Sequence, residues 1–190
     1  QQGQGSDVLA GICTSVTALY RDIYGIRPRW NRMGLEPHML HQLDGTDFHY
    51  TLRNTVYRLR LSVDDYEMST ADFSVKSKEA FGASFDHRQL SFFPRNRDET
   101  VLRISGKSDA PLSLSVSKWT QKDISWRIAS ADEYTFTLEG LDPSAKYGLT
   151  VDGRATPLAV DAHGTATFSR PCPKPASFRI KTNKSADSRH

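Results

Sequence analysis

The sequence predicts a mainly β protein, an antiparallel β-sandwich preceded by one N-terminal amphipathic helix. Short segments in which apolar and polar residues alternate recur about every 8–12 residues along most of the chain, as in sandwiches. The first two cover residues 48–52 and 57–63, with a turn at Arg53-Asn54-Thr55 between them. Turn-forming pairs such as Asp152-Gly153 and His163-Gly164 separate later segments. Before all of these, apolar residues fall at helical spacing, which predicts the helix.

The helix is expected over residues 6–24. Ser6 can cap its N-terminus, and Asp7 places a negative charge in the first turn, where the helix dipole favours an anion. Gly25 suits the position after the last turn, and Pro28 prevents continuation. The apolar stripe consists of Val8, Ile12, Val16, Leu19 and Ile23. Because a single helix cannot bury its own stripe, we expect it to pack on the β region or on a partner.

These patterns divide the chain into four parts. Residues 1–25 carry the helix, and residues 47–182 form the sandwich. Residues 26–46 are expected to be a linker, a loop with at most one short strand, because prolines and a glycine interrupt any period. Residues 107–111 are either an internal boundary or a turn within one sandwich, and few strands precede them, which favours one sandwich. Residues 183–190 are expected to be a mobile polar tail.

Composition excludes several classes of protein. The 190 residues are 37% hydrophobic and 25% charged, which is typical of a chain that buries a core. The net charge of +3 comes from interspersed charges, whereas nucleic-acid binding needs a clustered basic face, so we expect no nucleic-acid partner. The longest apolar stretch, residues 8–20, is shorter than the roughly 20 residues that span a bilayer. We therefore expect a soluble chain with no membrane partner. No signal segment is visible in this chain, so its cellular compartment is left unassigned.

The chain starts at Gln1 rather than Met, which indicates a processed, recombinant or partial chain.

Its catalytic and metal chemistry is sparse. Two cysteines are too few for a disulfide scaffold or a zinc site, and His38 and His41 have no third ligand beside them, so no metal and no cofactor are expected. Adjacent Asp64 and Asp65 should point apart, unlike the two facing carboxylates of glycoside hydrolysis. No catalytic residue is assigned.

One segment resembles a known arrangement. After the helix come Gly25-Ile26-Arg27-Pro28, Leu35-Glu36-Pro37, Leu43-Asp44-Gly45 and Tyr57-Arg58-Leu59. This order resembles the exit from the (α/α)6 barrel in six-hairpin glycosidases and inverting disaccharide phosphorylases, where a C-terminal β-sandwich packs on the barrel. The resemblance implies that helix 6–24 is the last barrel helix and that the catalytic acid and base lie upstream of this chain. It also implies that Glu36 anchors the sandwich to the barrel, pairing with Arg27 or Arg29.

The helix N-terminus supplies three candidate substrate-binding residues. Gln4 belongs to Gln2-Gly3-Gln4-Gly5, which with Gly11 is similar to the glycine-rich run after the catalytic base in trehalase-like members. Ser6 and Asp7 follow this run at the start of the helix, where backbone N–H groups could hold an anion. In the phosphorylase branch the phosphate lies near this part of the barrel. The alternatives are a capping or helix-dipole role for Asp7, and a flexible cut end or a barrel loop for the glycine-rich run.

Tryptophans supply the other three candidates, because pyranose faces stack on aromatic rings. Trp119 and Trp126 lie in or beside predicted strands, where core packing is the alternative. Trp30 lies in a loop between arginines and is expected to be exposed or to face the missing barrel.

Three functions remain open from the sequence. The first is a C-terminal accessory, stabilising part of a carbohydrate-active enzyme of the glycoside hydrolase or glycoside phosphorylase type, not catalytic alone. The second is an independent carbohydrate-binding sandwich, and the third is a subunit that completes a barrel supplied by another chain. The partners are then a carbohydrate, bound directly or through the parent enzyme, and a barrel region or barrel chain. The helix favours the first and third functions, because a self-sufficient sandwich has no need of an uncovered apolar stripe.

Overall fold

The computed structural model describes residues 5–95 and 99–183, with the backbone alone for residues 5–11 and 183. It is mainly β. A seven-stranded and a nine-stranded sheet contribute to one hydrophobic core, and one helix precedes them. The predicted fold class is confirmed. The predicted tail falls almost wholly outside the described residues.

The helix and sixteen strands account for most of the described chain. Helix α1 spans Gly5–Ala18 and continues into a π-helical turn, Leu19–Ile23, and a 3-10 turn occupies His41–Leu43. No helix of the described residues is long and apolar enough to cross a bilayer. In chain order the strands are β1 (Ile26–Pro28), β2 (Met33–Leu35), β3 (Thr46–Leu52), β4 (Thr55–Leu61), β5 (Tyr66–Ser69), β6 (Phe73–Ser77), β7 (Phe81–Asp86), β8 (Gln89–Pro94), β9 (Val101–Gly106), β10 (Leu112–Thr120), β11 (Asp123–Ile128), β12 (Asp132–Glu139), β13 (Lys146–Val151), β14 (Arg154–Leu158), β15 (Ala166–Cys172) and β16 (Ala176–Asn183).

The two sheets have different strand orders. The seven-stranded sheet has the order β1-β2-β7-β8-β9-β12-β15, and the nine-stranded sheet has the order β14-β13-β16-β11-β10-β6-β5-β4-β3. Neighbouring strands are antiparallel throughout, except that β6 and β10 pair in parallel, with Phe73 opposite Leu112. Successive residues of a strand point to opposite faces, so each sheet has one face in the core and one outside.

Three tight hairpins have two-residue turns with left-handed backbone. Asp152 and Gly153 have φ of 46° and 85°, and Arg53-Asn54 and His87-Arg88 adopt the same region. Positive φ at both central positions is the type I′ geometry that matches the twist of a hairpin. The hairpins at Arg53-Asn54 and Asp152-Gly153 are as predicted. The sequence does not predict the hairpin at His87-Arg88, because neither residue is a typical left-handed one.

Residues 26–46, predicted to be a linker with at most one short strand, contain two strands. β1 pairs with β2, and β2 pairs with β7, so both belong to the seven-stranded sheet. Met33, Gly34 and Leu35 of β2 are all buried. A strand buried on both faces shows no alternation, so the period-two pattern that marks the other strands is missing here.

Residues 107–111 join β9 of the seven-stranded sheet to β10 of the nine-stranded sheet. The segment is therefore a crossover between the two layers of one sandwich, neither a hairpin nor a domain boundary. Trp126 and Phe178 of the nine-stranded sheet meet Phe136 of the other sheet, with ring centroids 4.6–5.9 Å apart. The core is continuous across both layers.

The end of the helix is fixed to the sandwich. Tyr20 and Tyr24 lie against Phe48 of β3, with ring centroids 5.7 and 5.0 Å away. Just beyond, the N–H of Glu36 donates to the carbonyl of Gly25 (2.8 Å). The Arg27 Nε lies 3.7 Å from a carboxylate oxygen of Glu36, which is one of the two predicted pairings.

Candidate functional site

Two of the predicted sugar-stacking residues, Trp119 and Trp126, are core residues. Trp119 is 8% exposed, and its Nε1 donates to the carbonyl of Thr100 (3.1 Å). Trp126 is 2% exposed and stacks on Phe178 at 5.3 Å. A ring covered on both faces cannot stack on a sugar, so the core alternative is correct for both residues.

The helix N-terminus provides no described site. Gln4 lies outside the described residues. Ser6 and Asp7 lie within α1, and their side chains are outside the described part of the chain. The predicted phosphate site therefore stays a prediction.

Trp30 is the predicted candidate that the structure leaves accessible. It lies in the turn between β1 and β2, which closes with a 2.9 Å hydrogen bond from the N–H of Arg29 to the carbonyl of Arg32. Its side chain is 88% exposed, more than the other exposed large hydrophobic side chains of the described chain. Exposing one indole to this extent is unfavourable, and an exposed aromatic beside polar groups is typical of a binding surface.

One arginine approaches the Trp30 ring, and two more lie beside it along the chain. Arg53, in the β3–β4 turn, donates from its guanidinium to the carbonyl of Trp30, and its Cζ lies 5.3 Å from the ring centroid. A shallow cavity of about 190 Å³ beside the ring is bordered by Arg29, Arg32, Arg53 and Tyr57. Burial raises the pKa of Tyr57, which keeps its phenol protonated and able to donate a hydrogen bond.

A larger groove adjoins this cavity on the outer face of the seven-stranded sheet. It has a volume of about 530 Å³ and shares Asn31, Ser84 and Phe85 with the cavity beside Trp30. We call Trp30, its flanking arginines and this groove the Trp30 face. The groove floor is mostly polar because most outward residues of β7, β8 and β9 are polar, Phe93 being an exception, and Asp86 and His87 also line the groove. The polar part of the floor includes Ser84, Gln89, Ser91, Arg103 and Ser105.

Internal hydrogen bonds hold the floor residues in place. Gln89 and Ser105 are directly opposite across β8 and β9, and the Gln89 Nε2 donates to the Ser105 Oγ (3.1 Å). Arg103 donates to Ser91 (3.0 Å) and forms a bidentate pair with Glu139 (2.8 and 3.0 Å). Such preorganised amide, hydroxyl and guanidinium groups suit a ligand rich in hydroxyls. No local sequence pattern predicts these residues as a site, because only the strand register brings them together.

A second concavity lies on the outer face of the nine-stranded sheet. It has a volume of about 510 Å³, and its floor includes Ser115, Ser117, Ser125 and Ser177. Its rim is basic and partly neutralised: of the four basic residues that line it, Lys76 pairs with Asp65 (2.9 Å) and Arg179 pairs with Asp123. It has no exposed aromatic residue, so the Trp30 face is the better candidate for binding.

Asp123, just beyond this concavity, is held by two cations from neighbouring strands. Its carboxylate accepts two hydrogen bonds from Arg179 (2.9 and 2.7 Å) and one from Lys118 (2.9 Å). The Arg179 guanidinium in particular holds the pKa of Asp123 well below its usual range, against the opposing effect of burial. The charged form is therefore favoured in the folded state.

Asp123→Asn should lower the free energy of unfolding at neutral pH by about 1–3 kcal/mol, the usual worth of a charge-assisted hydrogen bond. Because the folded-state pKa is depressed, this contribution is complete above the unfolded-state value of about 4 and is lost as pH falls below it. Urea unfolding of both chains should show the difference shrinking on acidification. Asp64→Asn, at an exposed carboxylate, is the control and should change little. A difference that stays constant with pH would contradict the assignment.

The remaining titratable candidates do not converge. Within the described part of the chain, no cluster of three or more His, Cys, Asp or Glu side chains could hold a metal ion. His38 and His41 are both exposed. Asp65 is paired with Lys76, while Asp64 is exposed in the loop before β5.

Comparison with known proteins adds no assignment: protein-family models, curated proteins and solved structures gave no match to this chain.

Proposed function

We propose that this chain is the C-terminal accessory sandwich of a carbohydrate-active enzyme of the glycoside hydrolase or glycoside phosphorylase type, and that it is not catalytic alone. One observation carries the proposal: the two stripe positions whose side chains are described within α1 are exposed, whereas Leu19 and Ile23 in the turn beyond it are partly buried. Ile12 and Val16 of this stripe are 55% and 49% exposed. Burying such a side chain is worth about 1.5–3 kcal/mol, so a partner surface is favoured.

The attachment of the helix supports the same proposal. Tyr20 and Tyr24 pack on Phe48, and the chain then turns at Gly25 into β1 of the sandwich. The uncovered stripe is thus held at a defined position relative to the sandwich. A fixed helix with an open apolar stripe suits packing among the helices of an (α/α)6 barrel, the arrangement that residues 23–61 resemble.

The experiment extends expression upstream from Gln1 to the start of the reading frame. The long product and residues 1–190 are then assayed for hydrolysis and phosphorolysis of simple glycosides. The proposal expects turnover by the long product alone. Turnover by residues 1–190, or an upstream region without paired helices, would overturn it.

Aspartates introduced into the apolar stripe should show whether it packs on a partner region or serves only the stability of residues 1–190. Ile12→Asp with Val16→Asp should lower the thermal stability and turnover of the long product, because burying two unpaired charges costs several kcal/mol. In residues 1–190 the same pair should leave unfolding of the sandwich unchanged, since both side chains are exposed there. Cys13→Asp with Thr17→Asp places the same charges at the same spacing on exposed positions outside the stripe. Equal effects of the two pairs on the long product would contradict the proposal.

A second function, an independent carbohydrate-binding sandwich, is favoured by the exposure of Trp30. This function needs neither α1 nor a barrel. A chain lacking residues 1–25 that still binds glycans, combined with an upstream region that encodes no barrel, would favour it over the first proposal.

A further inference from the structure

We infer that the Trp30 face binds an anionic saccharide, with a pyranose ring on the Trp30 indole and the acidic group of the sugar on Arg29 and Arg53. The inference extends the second function above and rests on it. It does not depend on α1, so the two can fail separately.

The indole supplies the apolar half of the site. The Trp30 side chain is 88% exposed, and the turn that carries it is closed by the hydrogen bond between Arg29 and Arg32. Arg53 approaches the ring and bonds the Trp30 carbonyl, which fixes the arginine relative to the indole. A rigid planar ring that is this exposed can accept the C–H face of a pyranose.

The charge around the ring selects the ligand. Arg29 and Arg53, and no Asp or Glu, are among the residues that border the cavity beside Trp30. Among the described residues, neither Arg29 nor Arg53 forms an ion pair. By contrast, Arg58 and Arg60 of β4 both pair with Asp47. A guanidinium is a fork of donors that matches a carboxylate or sulfate group. The site therefore favours a uronate or a sulfated sugar over a neutral one.

The adjoining groove accommodates the rest of the chain of sugars. It is continuous with the Trp30 cavity through Asn31 and Ser84 and has room for a ligand of about 530 Å³. Gln89, Ser91 and Ser105 line it with amide and hydroxyl groups. A peptide would need apolar pockets or a free strand edge for affinity. The β1 edge strand has three residues, one of them Pro28, so it offers little to a peptide backbone.

The test is calorimetric titration of residues 1–190 with four tetramers of matched length. The ligands are tetragalacturonate, a sulfated galactan tetrasaccharide, cellotetraose and tetraglutamate. We expect one or both of the anionic saccharides to bind at least about tenfold tighter than cellotetraose and tetraglutamate, and to weaken as ionic strength rises from about 0.02 to 0.5 M. The carboxylate and sulfate probes distinguish the two sources of the negative charge.

Substitutions locate the site. Trp30→Ala should weaken binding of the preferred anionic saccharide at least about tenfold, as expected for a central aromatic contact. Arg53→Gln and Arg29→Gln should each weaken it about three- to tenfold and reduce its salt dependence. Arg60→Gln removes the same charge from a paired position outside the cavity, and Leu40→Ala removes an exposed apolar side chain elsewhere. Both controls should bind like the unaltered chain.

Every other outcome counts against the inference. Equal binding of cellotetraose would mean a neutral-sugar site, which leaves the binding-module function standing and overturns the anionic specificity. Equal binding of tetraglutamate would identify a peptide or general polyanion surface. Equal loss in Arg29→Gln and Arg60→Gln would mean that net charge alone acts. No binding by any probe overturns the inference, while the upstream-expression experiment still decides the role of α1.

Discussion

Replacing Gly25 with alanine should destabilise the protein by about 3–5 kcal/mol, among the largest effects of a single substitution. Gly25 has φ of +64°, and a β-carbon added there would overlap the backbone carbonyl oxygen of Glu36 and the nitrogen of Pro37. The left-handed backbone alone costs alanine roughly 1–2 kcal/mol. The overlap adds more, because both atoms belong to backbone whose hydrogen bond to Gly25 fixes β1 beside β2.

Urea unfolding measures this effect, and two other glycines provide the control. Gly45 and Gly153 also have positive φ, at 76° and 85°, but a β-carbon added to either meets no atom within 4 Å. Alanine at these positions should cost only the backbone term, about 1–2 kcal/mol. If Gly25→Ala behaves like Gly45→Ala, the close approach of Glu36 to Gly25 is not rigid, and the fixed attachment of α1 loses its basis.

Phe136→Ala should cost about 3–5 kcal/mol, the usual loss for truncating a fully buried aromatic residue. Phe136 is 0% exposed and contacts rings from both sheets, with Phe178 4.6 Å away and Phe168 5.1 Å away. The cavity left behind would lie between the layers, where neither sheet can collapse without breaking strand pairing.

The midpoint and slope of urea unfolding measure this loss. Phe168 lies on the same cluster from the neighbouring strand but is only half-buried, so Phe168→Ala should cost clearly less. Two separate unfolding transitions in Phe136→Ala would mean that the sheets are independent domains, contrary to the single core.

The sequence predicts a strand best where one face of that strand is exposed to solvent. In the β3–β4 hairpin, Phe48 and Leu59 alternate with polar residues, and the turn between the strands is where it was expected. The pattern around β2 allowed no more than one short strand within a loop, because Gly34 and its neighbours are buried on both faces. β7 was missed because its turn uses His87 and Arg88. Local pattern therefore finds half-exposed strands and fails for those whose burial depends on distant partners.

The same limit applies to the candidate site. The exposure of Trp30 follows from its place in a short, arginine-rich turn. Trp119 and Trp126 could not be separated from it by residue type, since an indole serves both cores and binding surfaces. Arg53 reaches Trp30 across 23 positions of sequence, and the floor of the groove exists only through the β8–β9 register. Such proximity is a property of topology, which no local pattern contains.

The parallel contact of β6 with β10 has a consequence for how the chain folds. It joins a meander of consecutive strands, β3 to β6, to a second group made of β10, β11, β13, β14 and β16. Ser74 meets Ser113 there across 39 positions, and β7 to β9 must first enter the other layer. Closing so long a loop is entropically costly and slow compared with forming hairpins. The β11–β16 pairing closes a still longer loop, with Arg179 bonded to Asp123 across 56 positions. Both long-range pairings of the nine-stranded sheet are therefore expected to form after the local hairpins.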